Sequence, residues 1–214
     1  MFSTFDQFND FEKAKAQGFK SLLKIDDQHL WILTNQTLYL YSETKGIIEE
    51  YGTSYFGGID NFNQISKAKD GGYWIAANSI SEDGDVPGNS GIFGRDVWLF
   101  HIDDFGAMTP GRNFTYGGDW NDEITELHQT NAGEFILIGE SDSPSGNDVS
   151  NIGANDIWCI KVNEQGQVIW HKNLGGTNYD AGRGMTFMPN GNFTVIGQSF
   201  SNDGDISNSN GDYD

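Results

Sequence analysis

Three loops of this 214-residue chain concentrate side chains that can coordinate a cation. The first, SEDGDVPGNSGIFGRDVW at 81–98, carries Asp83, Asp85, Asn89 and Asp96. The second, SDSPSGNDVSNIGANDIW at 141–158, carries Asn147, Asp148, Asn151 and Asp156. The third, SFSNDGDISNSNGDYD at 199–214, carries Asp203, Asp205 and Asn208, with Asp214 beyond them. Calcium takes roughly six to eight oxygens from carboxylates, Asn side chains, carbonyls and water, presented by a flexible loop. These eleven residues are therefore the candidate metal ligands, with Ca2+ as the candidate cofactor. None of the loops has EF-hand spacing, and no Glu closes one at the right place. Asp and Asn also cap turns by accepting hydrogen bonds from nearby backbone. Both readings stand at the level of sequence.

Other chemistry-bearing residues point away from catalysis. Asp60, Asp122 and Asp180 each precede a turn glycine (Gly71, Gly133, Gly191) by 11 residues. An acid/base pair needs two carboxylates in unlike environments. A carboxylate repeated in register instead predicts a hairpin corner that accepts backbone N–H groups. His29, His101, His128 and His171 share no metal-ligand spacing, and GxSxG, Walker and GxGxxG motifs are absent. The single Cys159 excludes an internal disulfide or zinc cluster, and it occupies the place of Leu99 one repeat earlier, which predicts a buried thiol. A formal charge of −19 repels phosphate backbones, so nucleic acid is not an expected partner. The first residues lack the pattern of a signal peptide, and no apolar run is long enough to span a membrane.

The elements that carry these residues repeat. Gly46, Gly106 and Gly166 are spaced by 60 and 60; Gly57-Gly58, Gly117-Gly118 and Gly175-Gly176 follow at 60 and 58. Each unit predicts four short strands. The first precedes the Gly-Gly, the second runs from the recurring Asp, and a turn with Gly leads to the third (73–77, 135–139, 193–197). The acidic loop then leads to the fourth, as in 97–102 and 157–162. Alternation puts Trp98, Phe100 and Ile102 on one face, and Trp158, Ile160 and Val162 on the matching face. Val97, Leu99, Ile157 and Cys159 make the opposite face apolar too. A sheet apolar on both sides must lie between neighbours.

The expected fold is therefore all-β: a β-propeller-like array of four-stranded antiparallel blades, about three and a half of them. A stacked β-solenoid is the alternative. Residues 1–45 are a degenerate blade or cap, 46–106 and 107–166 are full repeats, and 167–214 is a third repeat that stops before its last strand. In the degenerate copy, Gln17 falls where the recurring Asp would be, and 11–18 favours a helical turn. Trp98 and Trp158 recur as expected core. Trp120 and Trp170 stand outside the repeat and are the aromatics to consider for stacking on a sugar.

Ser-x-Ser-x-Asp-Gly-Asp at 79–85 and 199–205, the Asn-x-Gly stretches leading to Trp98 and Trp158, and the Gly-Gly with a following Asp form a combined signature. Together they resemble an Asp/Gly-rich repeat of large secreted and surface proteins of some Gram-negative bacteria, including those exported with a C-terminal sorting domain. The resemblance covers roughly 46–214, with 19–45 as a degenerate match. It implies a secreted or cell-surface location and no particular chemistry. The expected function is a non-catalytic scaffold, adhesion or interaction module, with calcium as a candidate stabiliser. A carbohydrate-binding module is the alternative, and a glycoside hydrolase fragment is a weaker one. A protein or glycan partner fits, as does pairing of an open sheet edge with another chain.

Overall fold

The computed structural model describes residues 12–56, 59–81, 86–87, 94–146, 149–188 and 190–207. The third-strand segments do form strands, and the described residues contain one short helix, at 12–16. The first sheet comprises β1 (Phe19–Lys24), β2 (His29–Thr34), β3 (Thr37–Ser42) and β4 (Gly46–Gly52). The second comprises β5 (Asn61–Lys67), β6 (Tyr73–Ser79), β7 (Asp96–Ile102) and β8 (Met108–Tyr116). The third comprises β9 (Asp122–Gln129), β10 (Phe135–Ser141), β11 (Asp156–Val162) and β12 (Val168–Leu174). A two-stranded sheet, β13 (Asp180–Phe187) and β14 (Phe193–Ser199), completes the described array. All neighbours within a sheet are antiparallel and consecutive in sequence, so each sheet is an up-and-down blade.

The blades are phased one strand later than the sequence units. Val168–Leu174 opens a unit when the period is counted from Gly166, yet it pairs with β11 of the sheet before it. The same holds for Met108–Tyr116, which pairs with β7. The tight turn at Gly106 or Gly166 explains this. Both glycines sit at positive φ (81° and 74°), as does Gly46 (79°), and so fold each strand back beside its predecessor. The Gly-Gly stretch is then the passage between blades. The degenerate N-terminal stretch likewise contributes three strands to a complete sheet.

Each full sheet is buried on both faces, and alternate residues of one strand enter different cores. Trp98, Phe100 and Ile102 join Trp31, Leu33 and Leu38 between the first and second sheets. Val97 and Leu99 point the other way, to Leu137, Trp158, Ile160 and Val162 of the third. Ile157 and Cys159 face the fourth sheet, against Met185, Phe193 and Val195. The first sheet's remaining face, Ile32, Tyr39 and Tyr41, is covered by Ala14 of the 12–16 helix.

The core therefore depends on aromatic volume at blade junctions. Replacing the fully buried Trp98 by Ala should lower stability by about 3–5 kcal/mol. Replacing Phe105, which is 82% exposed, should change it by less than about 0.5 kcal/mol. Chemical denaturation of the two variants checks the contrast.

Candidate functional site

The acidic loops and the Gly-Gly passages meet at one end of the blades; the short hairpin turns occupy the other. The recurring Asp lies at the first of these ends and is buried there. Asp122 Oδ2 accepts hydrogen bonds from the Gly118 backbone N–H (2.7 Å) and from Ser143 Oγ (2.7 Å). One blade later Asp180 Oδ2 accepts from the Gly176 N–H (2.8 Å) and from Ser201 Oγ (2.7 Å). Each serine in turn accepts a backbone N–H, from Trp120 (2.9 Å) and Asn178 (3.0 Å). The Asp backbone N–H closes the unit, donating to Arg95 O (2.6 Å) or Asn155 O (2.8 Å) of the previous blade. This clasp ties the Gly-Gly passage, the Ser-x-Ser stretch and the neighbouring blade together.

The corner role of the recurring Asp follows from its recurrence. The serine partner is what sequence reasoning missed. The signal was present: Ser143 and Ser201 each lie 21 residues after their Asp, and Ser81 lies 21 after Asp60. In the degenerate blade neutral groups make different bonds: Gln17 Oε1 accepts from Tyr39 OH (2.9 Å) and Thr34 Oγ1 (3.4 Å). Asp60 departs from the pattern. It is half-buried and takes the Nε–H of Arg95 at 3.1 Å, while Arg95 Nη1 lies 2.7 Å from Glu123 of the next blade.

Of the eleven candidate ligands, Asp83, Asp85, Asn89, Asn147, Asp148 and Asn208 lie outside the described residues. The other five do not converge. Asn151 makes a local turn: its Oδ1 accepts from the Gly153 N–H (3.2 Å) and its Nδ2 donates to Ala154 O (3.3 Å). Asp156 Oδ2 accepts the Ile152 N–H at 2.5 Å. Asp203 accepts from the Thr177 N–H (2.8 Å) and hydroxyl (3.0 Å). Asp205 is exposed, and Asp96 is buried. Among the described residues, no group of three or more Asp, Glu, His or Cys is arranged to hold a metal ion.

A pairing did emerge that the spacing had not shown. Asp156, at the start of β11, and Asp180, at the start of β13, flank Gly175, where an added Cβ would collide with both carboxylates. Asp96 and Asp122 flank Gly117 in the same way. Register confirms the equivalence, because Asp96 pairs with Ser79 and Asp156 with Ser141. Both Asp156 and Asp180 are fully buried, and the Oδ1 of each lacks a hydrogen-bond partner among the described residues. Burial, and then the nearby Asp180 charge, push the Asp156 carboxyl above its ordinary 3.8. Burial likewise raises Asp122, against the lowering effect of its serine hydrogen bonds.

The remaining candidates are structural. Cys159 is buried, and its thiol is pushed up to about 12 by burial, so it carries no thiolate. His101 is buried between Gly71 O and Thr109 Oγ1, both at 2.8 Å, and burial lowers its pKa. Trp98 and Trp158 are core, whereas Trp120 is 52% exposed beside the clasp.

No family model matches this chain, and no curated protein does. Among solved structures, a protein of unknown function from Bacteroides caccae aligns with a TM-score of 0.49 and 9% identity, over 83% of this chain and 52% of that one. Kluyveromyces lactis Hsv2 aligns with a TM-score of 0.35 and 8% identity, over 84% of this chain and 59% of that one. The chain thus spans about half the length of the first.

Asp122→Ala should cost roughly 2–4 kcal/mol, because it strands the Gly118 N–H and the Ser143 hydroxyl; Asp122→Asn, which keeps an acceptor, should cost less. The pH dependence has a definite sign. A carboxyl raised in the folded state keeps its proton where the unfolded chain has lost it. Stability from Asp122 and Asp156 is therefore gained as pH falls through their raised values toward 3.8. As pH falls from 7 toward 3.8, denaturation midpoints should rise more for the native sequence than for an Asp122→Asn/Asp156→Asn double variant.

Proposed function

We propose that this chain is a non-catalytic β-propeller repeat module of a secreted or cell-surface protein, acting as a scaffold or interaction surface. The observation that carries this reading is the identical use of Asp122 and Asp180, whose carboxylates each join a Gly-Gly passage to a Ser-x-Ser stretch. Groups committed to the same structural bonds in successive blades are not differentiated into acid and base. The surface location rests on the resemblance of the repeat, and the acidic composition agrees with it.

The clasp end supplies the interaction surface. Trp120 (52% exposed), Ile152 (52%) and Phe200 (36%) protrude there among Asp and Asn side chains. Large apolar residues exposed beside a polar rim are a feature of protein interfaces. A cation in the acidic loops would relieve charge at this end. Calcium is accordingly proposed as a stabiliser through residues of the 81–98, 141–158 and 199–208 loops.

Two measurements test these statements. Incubation with panels of chromogenic glycosides and esters should give no turnover above buffer. Reproducible turnover that disappears on replacing a single unrepeated carboxylate would overturn the non-catalytic reading. Thermal melting should show a higher midpoint in calcium than in chelator, and an unchanged midpoint would remove the metal.

A further inference from the structure

At the hairpin end, the junction between the third and fourth sheets differs from the one before it. Between the second and third sheets the space is filled by Trp74, whose ring meets Phe135 at 5.0 Å and lies under the Arg112 guanidinium at 4.7 Å. Only a hollow of about 270 Å3 remains beside Arg112 and Phe114. Register places Ile136 where Trp74 stands, since Tyr73 pairs with Ile102 and Phe135 with Val162. Trp170 stands where Arg112 does, each preceding the partner of the equivalent Phe100 and Ile160. A cavity of about 590 Å3 lies at this junction, where the fourth sheet presents two described strands to the four of the third.

The walls of this cavity have a specific chemistry. Trp170 lies parallel to Phe193, with ring centroids 6.1 Å apart and planes 3° from parallel. Phe187 packs on Phe193 at 5.6 Å and on the His128 imidazole at 3.8 Å, extending the aromatic wall. Burial lowers the His128 pKa, so the imidazole is neutral at pH 7. Beside Trp170, whose cross-strand partner is Lys161, the Nζ of that lysine and Glu134 Oε2 form an ion pair at 2.6 Å. This pair offers donors and an acceptor with no net charge. The hairpin residues Asn131 and Asn190 add amide groups at the mouth.

We propose that this cavity binds a neutral saccharide residue. The C–H face of a pyranose matches a flat aromatic wall, and its hydroxyls match alternating donors and acceptors. Charge selects against acidic sugars, because the site is balanced within a chain of net charge −19. Glu134 is the one carboxylate lining the cavity, so the paired carboxylates of glycoside hydrolysis are lacking at this wall. The site binds without cleaving. The inference gives the non-catalytic module a ligand class and rests on that reading.

The test is calorimetric titration with the methyl glycosides of glucose, galactose and N-acetylglucosamine, with methyl glucuronide and an acetylated, amidated phenylalanine as comparisons. At least one neutral glycoside should bind saturably, and the two comparison compounds should bind at least about tenfold more weakly. Ile136→Trp places in the cavity the side chain that the preceding junction already accommodates, so it should weaken binding by at least about tenfold. Trp170→Ala, at a half-buried position, should weaken binding by about tenfold if Ile136→Trp proves unstable. The proposal is overturned if no neutral glycoside saturates, if binding survives both substitutions, or if the glucuronide or the phenylalanine derivative binds as well. Cleavage of a bound glycoside, seen as free methanol, would instead sink the non-catalytic reading.

Discussion

Sheets that are apolar on both faces constrain everything else in this protein. A single antiparallel sheet with one polar side can stand against water; these cannot. Trp98 and Leu99 are neighbours in the chain and enter cores on opposite sides of the same blade. Each four-stranded blade has a sheet or helix on either flank, and the short helix at 12–16 meets that need for the first. Stability is distributed over junctions, and so is sensitivity to mutation.

A stack of such sheets still needs its connections fixed, and a glycine pair is a loose passage from one blade to the next. The Asp–Ser clasp supplies the constraint. Its carboxylate sits with no exposed area and satisfies the passage's backbone, which explains why this acid is kept despite the cost of burying it. The cost shows in the raised carboxyls of Asp122 and Asp156, and in the pairing of Asp156 with Asp180 around Gly175. In the degenerate first blade Gln17 stands at the place of the recurring acid and bonds Tyr39 and Thr34 without charge.

Repetition and its failure separate structure from specificity. Carboxylates, serines and turn glycines recur because every junction poses the same packing problem. Trp74 gives way to Ile136 and Arg112 to Trp170 at the junction that holds the larger, aromatic-walled cavity. A surface that binds selectively has to differ from its copies, and this junction differs from the one before it.

Composition and period determined the class of fold, the strands at 73–77, 135–139 and 193–197, and which alternate residues share a face. The reason is local: a two-residue alternation fixes the side of a strand, and glycines at constant spacing fix the turns. The corner role of Asp122 was readable for the same reason. What only the tertiary structure decided was pairing across distance. Sequence could not settle which sheet receives the strand after Gly166, because a periodic chain has no marked origin. Nor could it show that Asp156 and Asp180 meet around one glycine, or that Asn151 and Asp203 bond to nearby backbone instead of converging, because these contacts depend on how one blade is turned against the next.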